Sequence, residues 1–202
     1  MHITTLGIDL AKNVFQLHGV DARGRAVLSR RVKRDQLLQV VASLQPCVIG
    51  MEAGGSAHHW GRAFEPLGHT VKLMHPKYVK PYVKTNKNDG RDAEAICEAV
   101  SRPTMRFVSI KTVEQADLQA VHRTRLLFVK HRTAVINQIR GLLAEYGLVI
   151  APSPGKVRPA LIRFLDDSAS GLTAFARETF SELYEQLTEL DSRIERVTHR
   201  VE

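Results

Sequence analysis

The sequence predicts an α/β fold: a mixed β-sheet carrying helices, followed by a helical region over about residues 111–202. Three observations lead there. Three strand-like runs joined by short turns fill the N-terminus, which reads as an antiparallel meander. Helical and strand-like runs then alternate up to about residue 74, the pattern of a sheet with parallel members. Beyond residue 111 the apolar spacing is helical throughout.

The elements follow in order. Ile3 to Leu10 reads as a buried strand, and Val14 to Val20 alternates apolar and polar residues. The turn Asp21-Ala22-Arg23-Gly24 leads into a third alternating run, Ala26 to Val32. Gln36 to Leu44 places Leu37, Leu38, Val40, Val41 and Leu44 at helical spacing, and Pro46 breaks the chain. Cys47 to Met51 is apolar on both faces, so it is expected to be a central strand parallel to the first. Ser56 stands where it can cap a helix running to Phe64, which Gly68 ends. His69 to Met74 is a fifth strand. A helix opened by Asn88 or Asp89 runs on through Ala99 and Val100.

The 202 residues suffice for a real core and one or two domains, and 44% hydrophobic with 25% charged residues is a globular composition. No signal peptide opens the chain and no apolar run reaches the length of a membrane span, so a membrane role is not expected and the cytosol is the expected compartment. Cys47 and Cys97 sit in apolar runs and read as buried thiols, with neither a disulfide framework nor a zinc pattern. The net charge of +8 suggests a polyanionic partner.

Four acids stand out. Asp9 ends the first strand and Glu52 the fourth, and sites in open α/β sheets form beyond the carboxyl ends of strands. Asp89 and Asp92 are three apart, on one face of their helix. The plainer reading of that pair is a capping box, Asp89 as the cap and Asp92 in the first turn, where negative charge suits the helix dipole. Clustered carboxylates repel one another, and divalent cations such as Mg²⁺ or Mn²⁺ relieve that conflict. Four acids can hold two ions roughly 3.5–4 Å apart, an arrangement suited to phosphodiester chemistry.

A basic run precedes the acid pair. Lys72, Lys77, Lys80, Lys84, Lys87 and Arg91 recur every three to five residues, with Tyr78 and Tyr82 among them and no acid before Asp89. Charge runs are commonly solvated faces. The interleaved tyrosines favour phosphate contact with some stacking, and Asn86 can add a donor. Lys12, beside the first acid, joins this set. Ser56, within Gly54-Gly55-Ser56-Ala57-His58, resembles a nucleophile elbow only loosely, because the last glycine is missing. His58 and His59 lack partners at ligand spacing, and Trp60 reads as core.

Gly7-Ile8-Asp9, Met51-Glu52-Ala53 and the stretch from Tyr78 through Asp89 to Asp92-Ala93-Glu94-Ala95-Ile96 together resemble the DEDD transposases, insertion-sequence recombinases related to the Piv DNA invertase. The resemblance covers essentially the whole chain. It implies a RuvC-like, ribonuclease-H-type fold for residues up to about 110. Asp9, Glu52, Asp89 and Asp92 are then implied as catalytic, metal-binding acids. DNA is the implied partner, with a bridge RNA as guide in some members. Family members continue into a second domain carrying a nucleophilic serine, for which no counterpart is visible here. The expectation is therefore an N-terminal portion of a transposase that binds nucleic acid and Mg²⁺ or Mn²⁺. The rival expectations are an autonomous Mg²⁺-dependent nuclease and a non-catalytic binding and dimerisation module.

The second region, residues 111–202, opens with one long helix, Thr112 to Gly147. Its apolar stripe is Leu118, Val121, Phe128, Val135, Ile139, Leu142 and Tyr146, and Arg123, Arg125, Lys130, Arg132 and Arg140 make it basic. Ala151 to Gly155 is a linker and Arg158 to Leu165 a shorter helix. The last helix repeats Ala176, Phe180, Leu183, Leu187, Leu190, Ile194, Val197 and Val201 at four-three spacing, a coiled-coil seam. The seam fits either a homo-oligomer or an intrachain hairpin with the long helix. Charge divides the chain as +7 up to Ile110, +3 from Lys111 to Pro152 and −2 from Ser153 onward. Nucleic-acid contact therefore belongs to the first region and the long basic helix, and protein pairing to the last helix.

Overall fold

The computed structural model describes residues 2–83 and 89–200, with Asp89 and Gly90 described as backbone. The chain forms two compact units, Met1–Thr112 and Val113–Glu202.

The first unit is a mixed six-stranded sheet in the order β3-β2-β1-β4-β5-β6. Its strands are β1 (Thr5–Asp9), β2 (Val14–Val20), β3 (Ala26–Lys33), β4 (Val48–Glu52), β5 (Thr70–Met74) and β6 (Phe107–Val108). The meander is antiparallel, as its short turns require, with Asp9 opposite Gln16 and Val14 opposite Lys33. Asp21 fixes the turn between β2 and β3, its Oδ1 accepting from the backbone N–H groups of Arg23 and Arg25 at 2.9 and 3.0 Å. β4 lies parallel to β1, pairing Gly7 with Gly50, and β5 is parallel to β4. The central position expected of the Cys47–Met51 run is therefore observed.

Alternation along the strands sorts the side chains into two layers. Leu6, Ile8, Ile49, Met51, Val71 and Leu73 pack with Leu37 and Val41 of α1 (Leu37–Ala42) and with Ala57, Trp60 and Phe64 of α2 (Ala57–Phe64). The opposite face carries α4 (Asp89–Val100), whose Ala95, Ile96, Ala99 and Val100 pack with Met74 and Val79. Here two glycines set the distance. A Cβ on Gly7 would lie 2.2 Å from the Ala93 carbonyl, and one on Gly50 would lie 2.9 Å from Val100 Cβ. These two glycines are register partners, so the middle of the sheet offers α4 a flat seat.

Three details depart from expectation. Ser56 precedes α2 in a left-handed conformation, φ 67°, and its side chain makes no cap bond. α3 (Pro76–Val79) is an added short helix, capped by His75 Nδ1, which accepts from Lys77 N–H at 3.1 Å. β6 adds a short antiparallel edge to β5, too brief to leave a periodic signal.

The second unit is helical: α5 (Val113–Ala144), α6 (Val157–Asp166) and α7 (Ala174–Thr198). Gly147, at φ 71°, ends α5, with Leu148 N–H returning to the Leu143 carbonyl at 3.0 Å. Thr173 caps α7 through Oγ1, which accepts from Ala176 N–H at 3.2 Å. Arg177 donates to the carbonyls of Phe164, Leu165, Asp167 and Leu172, closing the end of α6 onto the start of α7. The seam of α7 is occupied within the unit: Ala176, Phe180, Leu187 and Leu190 are buried with Val135, Ile136, Ile139 and Leu143 of α5. The intrachain hairpin is the arrangement present here.

Candidate functional site

The site forms where β1 and β4 end. Asp9 shares a strand face with Gly7, and Glu52 with Gly50, so both acids lie on the α4 side of the sheet. One residue past Glu52, Ala53 N–H donates to the Met74 carbonyl at 2.7 Å, which keeps the end of β4 tied to β5. Because α4 seats on the two glycines, its first turn brings Asp92 over the same strand ends. Asp9, Glu52 and Asp92 line one cleft of about 630 Å³ together with Pro76, Lys77, Lys80 and Val83.

The electrostatics follow from this proximity. Burial raises the Glu52 carboxyl above its ordinary value, and the negative charges of Asp9 and Asp92 push it further in the same direction. His75 opposes the shift. Such a donor set, three oxygen-bearing acids of like charge in one cleft, suits a hard divalent cation. As placed, however, no group of three or more His, Cys, Asp and Glu side chains among the described residues has a geometry that could hold an ion. The acids share a cleft without yet sharing a coordination sphere.

Asp89 begins α4, one helical turn before Asp92; its side chain, and Lys84, Asn86 and Lys87, lie outside the described residues. Of the basic run, Lys77 and Lys80 reach the acid cleft. Tyr78 is exposed, its ring 6.1 Å from that of His75, and Tyr82 lies under the Arg102 guanidinium at 5.4 Å. Lys72 sits over the Phe107 ring at 5.1 Å. Arg91 and Lys12 are exposed.

In the second unit Arg123 and Lys130 are exposed along α5. The other three basic residues have intrachain partners. Arg125 Nε donates to Thr198 Oγ1 at 2.9 Å, Arg132 pairs with Asp191 at 2.5 Å, and Arg140 donates to the carbonyls of Ala151 and Ser153 at 2.8 and 3.0 Å. A phosphate would have to compete with those bonds.

Sequence reasoning missed His75 as a neighbour of the acids. The signal was present: a histidine directly after a strand, followed by proline at the first helical position. His58, which lacked partners at ligand spacing in the sequence, takes a structural role. Its Nδ1 accepts from Lys111 N–H at 3.1 Å, and burial, then the charges of Lys111 and Arg62, hold its pKa down. Cys47 and Cys97 are buried free thiols, each pushed up to about 11 by burial. No helix among the described residues is long and apolar enough to cross a membrane.

Comparison with known proteins places this geometry in context. A probable family 20 transposase of Pseudomonas aeruginosa is 44% identical over 203 residues, spanning 100% of this chain and 60% of its own. The transposase for insertion sequence element IS1111A of Coxiella burnetii is 49% identical, covering 95% of this chain and 53% of its own. The transposase for IS1328 of Yersinia enterocolitica is 41% identical over 81% of this chain and 53% of its own. The chain thus spans about half to three-fifths of the length of these relatives. A solved chain of T. thermophilus RuvC, in complex with a Holliday junction substrate, is similar over 53% of this chain and 100% of that one, at 15% identity and a TM-score of 0.41. The family model described as a transposase of the IS110 DEDD type matches residues 6–148, most of the chain and all three acids of the cleft, and the chain belongs to that family.

Proposed function

We propose that this chain is the portion of a DEDD transposase that grips nucleic acid and positions a scissile phosphate for strand cleavage and rejoining. One observation carries the reading: acids from three separate elements, Asp9, Glu52 and Asp92, converge on a single cleft whose rim bears Lys77 and Lys80. Asp89, one turn before Asp92, completes the set. These four acids would hold Mg²⁺ or Mn²⁺, which when bound activates the attacking oxygen and steadies charge on the leaving one. Lys77 and Lys80 orient the backbone by pairing with phosphates on either side of the reacting one. His75 stands close enough to Glu52 to bias its ionisation. DNA is the substrate in this reading, and a guide RNA would use the same cationic rim, since phosphate contacts are alike for both.

The relatives are longer, and we place the serine of the rejoining chemistry in the remainder of such a protein. Homo-oligomerisation, expected through the α7 seam, would compete with α5 for Ala176, Phe180, Leu187 and Leu190; α5 itself exposes Leu118, Leu126 and Leu127. A non-catalytic module is the second reading, favoured because no ready coordination geometry is found among the described residues.

The experiment is a cleavage and binding assay on branched DNA with the full chain, with and without Mg²⁺ or Mn²⁺, beside Asp9→Asn. Metal-dependent binding or nicking that Asp9→Asn abolishes supports the proposal. Nucleic-acid affinity indifferent to both metal and the acid would leave the binding-module reading in its place. Efficient strand exchange by this chain alone would refute the need for a further domain.

A further inference from the structure

A second cleft opens at the same end of the sheet, between the ends of β2 and β3 and the side of α2. Asn13, Val14, Lys33, Arg34, Asp35, His59 and Trp60 line it, around about 570 Å³. Its centre is a fixed guanidinium. Arg34 lies over the rings of Phe15 and Trp60 at 5.7 and 5.5 Å, its backbone N–H donates to the Asn13 carbonyl at 2.9 Å, and its Nη1 reaches the Lys12 carbonyl at 3.4 Å. These contacts hold the guanidinium beside the two rings while the residue stays exposed, so its donors remain open to a phosphate. Trp60 is 6% exposed, yet its Nε1–H finds no acceptor among the described residues. A buried indole donor ordinarily has a partner. Lys33 and His59 add exposed donors, and Arg30 and Arg31 continue the cationic edge along β3. Asp35 is the one acid lining the cleft.

We propose that this cleft is a phosphodiester subsite. It holds a backbone phosphate of the polynucleotide strand whose reacting phosphate lies at Asp9, Glu52 and Asp92, with Arg34 and Lys33 as its ligands and Trp60 beneath. The sheet sets the separation. Lys33 pairs with Val14 and Asp9 with Gln16, so the subsite lies two strands across and two residues along from Asp9, roughly 12 Å away. A strand entering past Lys77 and Lys80 would cross the acids and leave over Arg34.

The subsite rests on the nucleic-acid reading above but not on the metal, and one built-in probe separates the two. Trp60 is the sole tryptophan of the chain. The full chain is titrated, in chelator, with fluorescein-labelled single-stranded DNA, with RNA of the same sequence, and with inorganic phosphate. Trp60 emission and label anisotropy are followed together. The expected result is a saturable change in Trp60 emission with the midpoint of the anisotropy curve, for DNA, RNA or both, the two arms showing which polymer the subsite prefers. Arg34→Gln should weaken binding about tenfold, the loss of one charge-assisted hydrogen bond. It should also lower the salt slope by about one. Lys33→Ala, at an exposed position that leaves the fold intact, should lower the slope likewise. Anisotropy that saturates while Trp60 stays silent, or Lys33→Ala and Arg34→Gln binding as the parent does, would overturn the subsite even if metal-dependent cleavage is found. A response to inorganic phosphate alone would reduce it to a small-anion site and overturn it as well.

Discussion

At the residue scale the site is a conflict among like charges. Glu52 is half-buried beside Asp9 and Asp92, and its pKa is raised. A carboxyl whose folded-state pKa exceeds its unfolded value contributes stability below the unfolded value, near 4.5, and loses it as pH rises through the folded value. At neutral pH the ionised Glu52 is therefore a cost in the metal-free protein. Glu52→Gln should raise metal-free stability at pH 7 by on the order of 0.5 kcal/mol, given solvent screening at a half-open site. The gain should vanish as pH falls toward 4.5, and added Mg²⁺ should stabilise the parent more than the variant. Thermal melts across pH, with and without metal, measure all three. The acids were legible in the sequence because each interrupts an apolar run at a strand end or shares a helix turn. Arg34 was not, because the contact that singles it out is with the rings of Phe15 and Trp60, which lie far from it along the chain.

At the element scale the decisive feature is how closely α4 approaches the sheet. Gly7 and Gly50 leave no room for a Cβ, so the helix backbone rests on β1 and β4 and carries Asp92 to the strand ends. Gly7→Ala should cost about 1–3 kcal/mol or more by overpacking. It should also weaken metal binding, since relief requires α4 to lift. Gly141→Ala, on α5 with nothing within 4 Å of the new Cβ, should stabilise by about 0.5–1 kcal/mol and leave the site untouched. Denaturant melts of the two variants, read beside metal titrations, test the contrast. Most elements were legible from periodicity and turn residues. α3 and β6 were not, being too short to show a period, and the expected Ser56 cap failed because its backbone is left-handed. The α7 seam showed a partner was needed but could not say which. Phe180 is buried in the helical unit's core, and Phe180→Ala should cost that unit about 3–5 kcal/mol, seen as a lower helical melting transition.

At the scale of the whole molecule, a cationic first unit presents an acid cleft at the carboxyl ends of its parallel strands, and a separate helical unit closes its own core. Lys77 and Lys80 line the acid cleft, and Lys33 and Arg34 line a second cleft at the same end of the sheet. That arrangement makes sense if a polyanion must be brought to carboxylates that would otherwise repel it, with a divalent ion between them. The most direct measurement is a crystal of the protein soaked in Mn²⁺ and recorded at the manganese absorption edge. The account predicts anomalous density within ligand distance of Asp9, Glu52 and Asp92, lost in Asp9→Asn. Saturating Mn²⁺ that leaves this cleft empty, or that binds elsewhere and ignores Asp9→Asn, would contradict it.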